Sequence, residues 1–94
     1  MLEIIQTGPS DVRLRGRFDA TQQQAAFEFF DELEGPQTVH FDDLEYISSA
    51  GLSVLLHTQK RLSESGDMLK LRGLSPHVRL VFEYAGFDMI FDIE

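Results

Sequence analysis

Asp42-Asp43-Leu44-Glu45-Tyr46-Ile47-Ser48-Ser49-Ala50-Gly51-Leu52 is the stretch on which the reading of this chain turns. Before it, Thr38 to Phe41 forms a short apolar run with Val39 and Phe41 on one side, as a strand requires. The acids that follow read as a turn. Two serines then open a segment in which Leu52, Leu55, Leu56 and Leu62 recur at helical spacing. That spacing predicts a helix over Ser49 to Ser65, stopped by Gly66. A serine at such a junction can cap the helix or accept a phosphate, and the local field suits either use.

Upstream, Met1 to Gln6 predicts a strand and Gly8-Pro9-Ser10-Asp11 a turn. Val12, Leu14, Gly16 and Phe18 then alternate with Asp11, Arg13, Arg15 and Arg17, so a second strand buries one face and lines the other with arginines. Asp19 stands where a helix N-cap belongs. Ala25, Ala26, Phe29, Phe30 and Leu33 form one apolar stripe, Phe27 falls off it, and Gly35-Pro36 ends that helix. Downstream, Met68 to Arg72 is a strand, and Ser75-Pro76 starts a helix carrying Val78, Val81, Phe82 and Ala85. Gly86 closes it, and Ile90 to Ile93 is a last strand. The order β-β-α-β-α-β-α-β predicts an α/β fold, a single-layer mixed β-sheet with helices packed on it, in one domain over residues 1–94.

Composition narrows the function. Sixteen acidic residues against eight basic ones give a formal charge of −8. Nucleic-acid binding is disfavoured, because it rests on phosphate neutralisation by Lys and Arg. The absence of Cys excludes disulfides, thiol nucleophiles and zinc-thiolate sites. No apolar run is long enough to span a bilayer and no signal peptide precedes the first strand, so the expected compartment is the cytoplasm, without membrane insertion. His40, His57 and His77 lack metal-ligand spacing, and no Ser-His-Asp set, Gly-rich phosphate loop or paired carboxylates in a pocket can be argued. The chain is expected to be neither an enzyme nor a metal or cofactor carrier.

With Leu-Arg-Gly-Arg-Phe-Asp (14–19) upstream and Leu-Arg-Gly-Leu-Ser-Pro-His-Val (71–78) downstream, the Tyr46-to-Leu52 junction resembles the STAS domain family over essentially the whole chain. The resemblance is to the free-standing anti-sigma factor antagonist type and implies a STAS-like fold. In that type the matching segment commonly reads Asp-Ser-Ser/Thr/Ala-Gly-Leu, with the serine after the Asp as phosphate acceptor. Aligning on Gly51-Leu52 puts Ser49 at the acceptor and Ser48 where the Asp stands, with Ser48 the alternative acceptor should the register slip by one. The resemblance also implies two partners, a GHKL-type serine kinase acting as anti-sigma or switch protein and a PP2C-type phosphatase. The surface expected to meet the kinase is Asp19, Ser48, Ser49, Ala50, Gly51, Leu52 and Ser53.

The physics of such a switch follows from the junction. A phosphate on Ser49 would meet first-turn N–H groups and barely disturb the fold. Asp19, Asp42, Asp43 and Glu45 are expected at the same end of the sheet, so added charge there repels a docked partner. Gly51, lacking a Cβ, is expected to leave room for that partner's backbone. Two rivals stand beside this reading. One is a non-switching STAS subunit that supports a lipid-transport ABC ATPase, to which Ser48 in place of Asp gives weight. The other is small-ligand or nucleotide binding at the helix N-termini.

Overall fold

Alternation of Val12, Leu14 and Phe18 with the three arginines works out as expected. In the computed structural model, which describes residues 1–94, those apolar side chains are fully buried and the arginines lie on the opposite face. The chain runs β1 (Leu2–Gly8), β2 (Asp11–Phe18), a single 3-10 turn (Ala20–Gln22), α1 (Gln23–Asp31) and β3 (Gln37–Ile47). It continues through α2 (Ser49–Glu64), β4 (Leu69–Arg72), α3 (Pro76–Tyr84) and β5 (Asp92–Ile93). The five strands lie side by side in chain order. β1 and β2 form an antiparallel hairpin, and every later neighbour pairs parallel. The sheet is therefore mixed, with its helices in the crossovers.

All the inward strand residues share one face. Val12, Leu14 and Phe18, Val39, Phe41, Leu44 and Ile47, and Leu69 and Leu71 join the helical Ala26, Phe30, Leu52, Leu55, Leu62, Val78 and Phe82 in one core. Phe41, Phe82 and Phe91 stack edge to face through it, with ring centroids 5.9 and 5.5 Å apart. Each fully buried Phe or Leu contributes about 1.5–3 kcal/mol, so this layer supplies most of the driving force. The opposite face carries charge that is largely paired. Arg13 sits 3.2 Å from Asp43 and 3.6 Å from Asp42, Arg15 3.9 Å from Glu3, and the Arg17 guanidinium 4.4 Å over the Tyr46 ring. At the β4–β5 end Lys70 and Arg72 both hold Glu94. Arg13 and Arg15 are thus paired with carboxylates, and Arg17 lies over an aromatic face.

Three expectations change. The acidic residues are not a turn: β3 runs unbroken from Gln37 to Ile47. Between Arg13 and Phe18 on β2 there are five steps, whereas the paired span of β3, His40 to Ile47, takes seven (18 − 13 against 47 − 40). The two extra residues are β-bulges, which shift inward-facing positions to Phe41, Leu44 and Ile47 and erase the period of two. Gly16 lies at the second bulge with φ +96, hard against the Met1 carbonyl. Along α1 and just past its end the core line is Ala26, Phe30 and Leu33, while Ala25 is exposed. Phe27 is half-buried and meets the His57 ring of α2 edge to face at 5.4 Å. The cause is that α1 has a neighbour on one flank only. Finally, β5 is reduced to Asp92–Ile93, and Ile90 lies outside it, 44% exposed.

Candidate functional site

The junction after β3 is built by three local rules. Ser48 is extended (φ −94, ψ 173) and its hydroxyl accepts the Gly51 amide at 3.4 Å, which makes it the N-cap of α2. Its carbonyl accepts the Leu52 amide at 3.0 Å, the first bond of the helix. Its own amide donates to the Phe18 carbonyl at 2.9 Å, tying the end of β3 to the end of β2. Ser49 follows as the first residue of the helix, exposed, and its carbonyl accepts the Ser53 hydroxyl at 3.0 Å.

Phe18 leads directly into Asp19, so the same bond carries Asp19 to this junction. Asp19 caps the 3-10 turn through a reciprocal capping box. Its Oδ1 accepts the Thr21 amide at 3.0 Å and the Thr21 hydroxyl at 2.6 Å, while its amide donates to Gln22 Oε1 at 2.9 Å. The Thr21 hydroxyl, then the Thr21 amide, hold the Asp19 carboxyl below its ordinary range. Gln23 completes the bridge by donating from Nε2 to the Ala50 carbonyl at 3.3 Å. Asp19-x-x-Gln22 is a capping-box signature that the sequence displays. The Gln23 tie, across 27 positions, has no sequence signal.

Of the expected surface, Asp19, Ser48 and Ala50 are half-exposed and Ser49 and Ser53 exposed. Gly51 and Leu52 are buried. Gly51 leaves no room for an outside backbone. A Cβ there would lie 2.8 Å from Ile47 Cγ1 and 3.0 Å from the Phe18 ring, so the glycine lets α2 approach its own sheet. The acids also separate. Asp42 and Asp43 lie on the open face of the sheet with Arg13, and Asp42 stands five residues, roughly 17 Å, before Ile47 along β3. Glu45 and Asp43 line a shallow cleft of about 460 Å³ on that face with Met1, Glu3 and Arg15. Asp19 is therefore the carboxylate at the serine junction.

No three His, Cys, Asp or Glu side chains converge as a metal site would need. His40 Nε2 lies 2.9 Å from Asp11, and His57 3.5 Å from Asp31. No helix is long and apolar enough to cross a membrane.

A mixed sheet with its helices on one face and a doubly tied serine turn between β3 and α2 defines a class, and comparison with known proteins gives it a name. The chain belongs to the STAS domain family, matching the member family described as Mlab, STAS domain over residues 4–92. Over 50 residues it is 52% identical to BtrV of Bordetella bronchiseptica, which bears the name of an anti-sigma factor antagonist. That match takes in 53% of this chain and 43% of BtrV, less than half of the relative's length. Among solved structures, one from Thermotoga maritima named as an anti-sigma factor antagonist superimposes with a TM-score of 0.82 at 18% identity, over 98% of this chain and 84% of that one. The phosphorylated form of the Bacillus cell fate determinant SpoIIAA gives a TM-score of 0.71 at 17% identity, over 100% and 91%. At such identities these likenesses establish the fold.

Proposed function

We propose that this chain is a regulatory STAS protein of the anti-sigma factor antagonist type, which docks a GHKL-type serine kinase through the Asp19 turn and the start of α2. Phosphorylation of Ser49 breaks the complex, and a PP2C-type phosphatase restores it. One observation carries the reading. The two serines differ in their surroundings, with the Ser48 hydroxyl turned to the Gly51 amide and Ser49 exposed beside it at the first helical position. A kinase can reach the second without dismantling the first.

A phosphate on Ser49 adds about −1.5 to −2 charges at a helix N-terminus, where they are tolerated. The same charge lies near Asp19, already ionised well below neutral pH, and repels an acidic surface docked there while raising the desolvation cost against an apolar one. A loss of about 3 kcal/mol weakens binding by more than a hundredfold, enough for a switch. The test is incubation with candidate GHKL kinases and ATP, read by intact mass and peptide mapping. Phosphate on the wild type and none on Ser49→Ala is expected; equal labelling of both removes Ser49 from the mechanism.

The second reading is a constitutive subunit that supports a lipid-transport ABC ATPase. The Mlab description of the matched family favours it, as does Ser48 where antagonists usually carry Asp. Affinity purification from the native host separates the two, since one partner is a kinase and the other a transporter ATPase.

A further inference from the structure

We propose that the free edge of β1 is a self-association surface, taken by β1 of a second copy in antiparallel register about a two-fold axis at Ile4. The inference is independent of the serine site. It rests on backbone parity. Met1 and Arg17 form a hydrogen-bonded pair, with Arg17 donating to the Met1 carbonyl at 2.9 Å, and the register continues as Glu3↔Arg15 and Ile5↔Arg13. Odd residues of β1 therefore bond to β2, and the N–H and C=O groups of Leu2, Ile4 and Gln6 point away from the sheet. Native edges are usually blunted by Lys, Pro or a covering element. From Leu2 to Gln6 this edge has neither residue, and its only charge is Glu3.

The side chains fit a second copy. Placing the axis at Ile4 sets Leu2 opposite Gln6 and Ile4 opposite Ile4 on the helical face, and Glu3 opposite Ile5 on the open face. No like charges meet. Above the edge, Phe27 marks the α2 side of α1 by its contact with His57, so Ala25 and Phe29, about 100° from the Ala26–Phe30 core line in the other direction, lie on the β1 side of that helix. Phe29 joins Leu2 and Ile4 as partly covered apolar groups that no further helix shields, Ala25 is exposed, and Ile5 on the open face is 38% exposed. Continuing the sheet through a second copy would cover all of these with their own counterparts.

Area sets the strength. Five paired residues span roughly 17 Å, and with the flank of α1 the strip is roughly 15 Å tall. That footprint of about 250 Å² falls well below the ~800 Å² per partner of stable complexes. The dimer is therefore a weak one, and matters where the protein is concentrated or tethered.

Sedimentation equilibrium of the full chain from about 10 µM to about 1 mM tests this. A monomer–dimer equilibrium is expected. Ile5→Glu, a partly exposed change, puts like charges opposite in the closer non-bonded pair and should weaken association about tenfold, while Ile5→Lys faces Glu3 and should strengthen it several-fold. Ile4→Pro removes an outward donor that β2 does not use and should abolish the dimer with the monomer's circular dichroism unchanged. A protein monomeric throughout, or a dimer indifferent to Ile5→Glu and Ile4→Pro, overturns the proposal. A dimer weakened by both Ile5 variants overturns the axis at Ile4.

Discussion

The Phe18 carbonyl accepts the Ser48 amide at 2.9 Å, one backbone bond that joins the ends of two parallel strands and sets two caps side by side. Asp19 begins the turn after one strand and Ser48 the helix after the other. An ionised carboxylate and an exposed serine thereby come to one pole, with the carboxylate already held by the Thr21 amide and hydroxyl. The position of the pair is inherited from the sheet, and local sequence chooses only the capping chemistry.

Gly51→Ala tests how tightly that pole is packed. Alanine in place of glycine within a helix gains about 1 kcal/mol of propensity. Here the new Cβ would press on Ile47 Cγ1 at 2.8 Å and on the Phe18 ring, and overpacking of that kind costs about 1–3 kcal/mol. The expected net result is a destabilisation of about 1 kcal/mol in urea denaturation. A variant more stable than wild type would mean that α2 is free to shift off the sheet.

Ser48 and Ser49 should differ in stability as they do in surroundings. Ser48→Ala removes a cap and is expected to cost about 1 kcal/mol or somewhat less, given the 3.4 Å bond. Ser49→Ala should stay within about 0.5 kcal/mol of wild type, as exposed substitutions do. Ser49→Asp should gain about 0.3–1 kcal/mol from the helix dipole while still weakening a docked partner. Thermal melts of the three variants decide the ranking, and a loss at Ser49 equal to that at Ser48 contradicts it.

Element order was legible because each switch from period two to helical spacing is punctuated: Gly8-Pro9, Asp19, Gly35-Pro36, Ser48, Gly66, Ser75-Pro76 and Gly86 all mark boundaries. The length of β3 was hidden, since bulges destroy alternation and two adjacent aspartates look like a turn. The side of α1 taken by Phe27 depends on where α2 lies, which no local pattern encodes. At the site, the serines, Asp19 and the cap were readable from residue type and spacing. The burial of Gly51, and the removal of Asp42, Asp43 and Glu45 to the open face, depend on strand register and packing, which a string of acids does not announce.

Asp19 supplies a pH signature. Its carboxyl titrates below the ordinary 3.8 because the Thr21 hydroxyl and amide bond to its charged form. A group depressed on folding contributes stability that is present above its unfolded pKa and lost as pH falls through the folded one. The turn should therefore loosen only in acid below about pH 4. A carboxyl-detected NMR titration should place the Asp19 midpoint under 3.8, and Thr21→Val should raise it. A midpoint at or above 3.8 would show that the capping bonds do not persist in solution.

Arg61, which the sequence reading left unremarked, should prove one of the more costly positions outside the core. From α2 its guanidinium donates to the Phe30 carbonyl at 2.8 Å and the Leu33 carbonyl at 2.6 Å, at the end of α1. The Phe30 carbonyl also accepts the Leu33 amide at 3.1 Å, so Arg61 adds a charged second donor there, and a cation at this end meets the negative end of the helix dipole. Hydrogen bonds from a charged donor contribute about 1.5–3 kcal/mol, so Arg61→Met should cost about 2 kcal/mol. The buried and unpaired Arg61 Nε works the other way, and an apolar stem relieves it, which holds the loss below 3 kcal/mol. Both bonds leave the single Nη2, so Arg61→Lys, which keeps the charge on a shorter stem, should recover about half. In a domain of this size 2 kcal/mol lowers the melting temperature by roughly 10 °C. A Met variant melting within about 2 °C of wild type would mean that water caps α1 equally well.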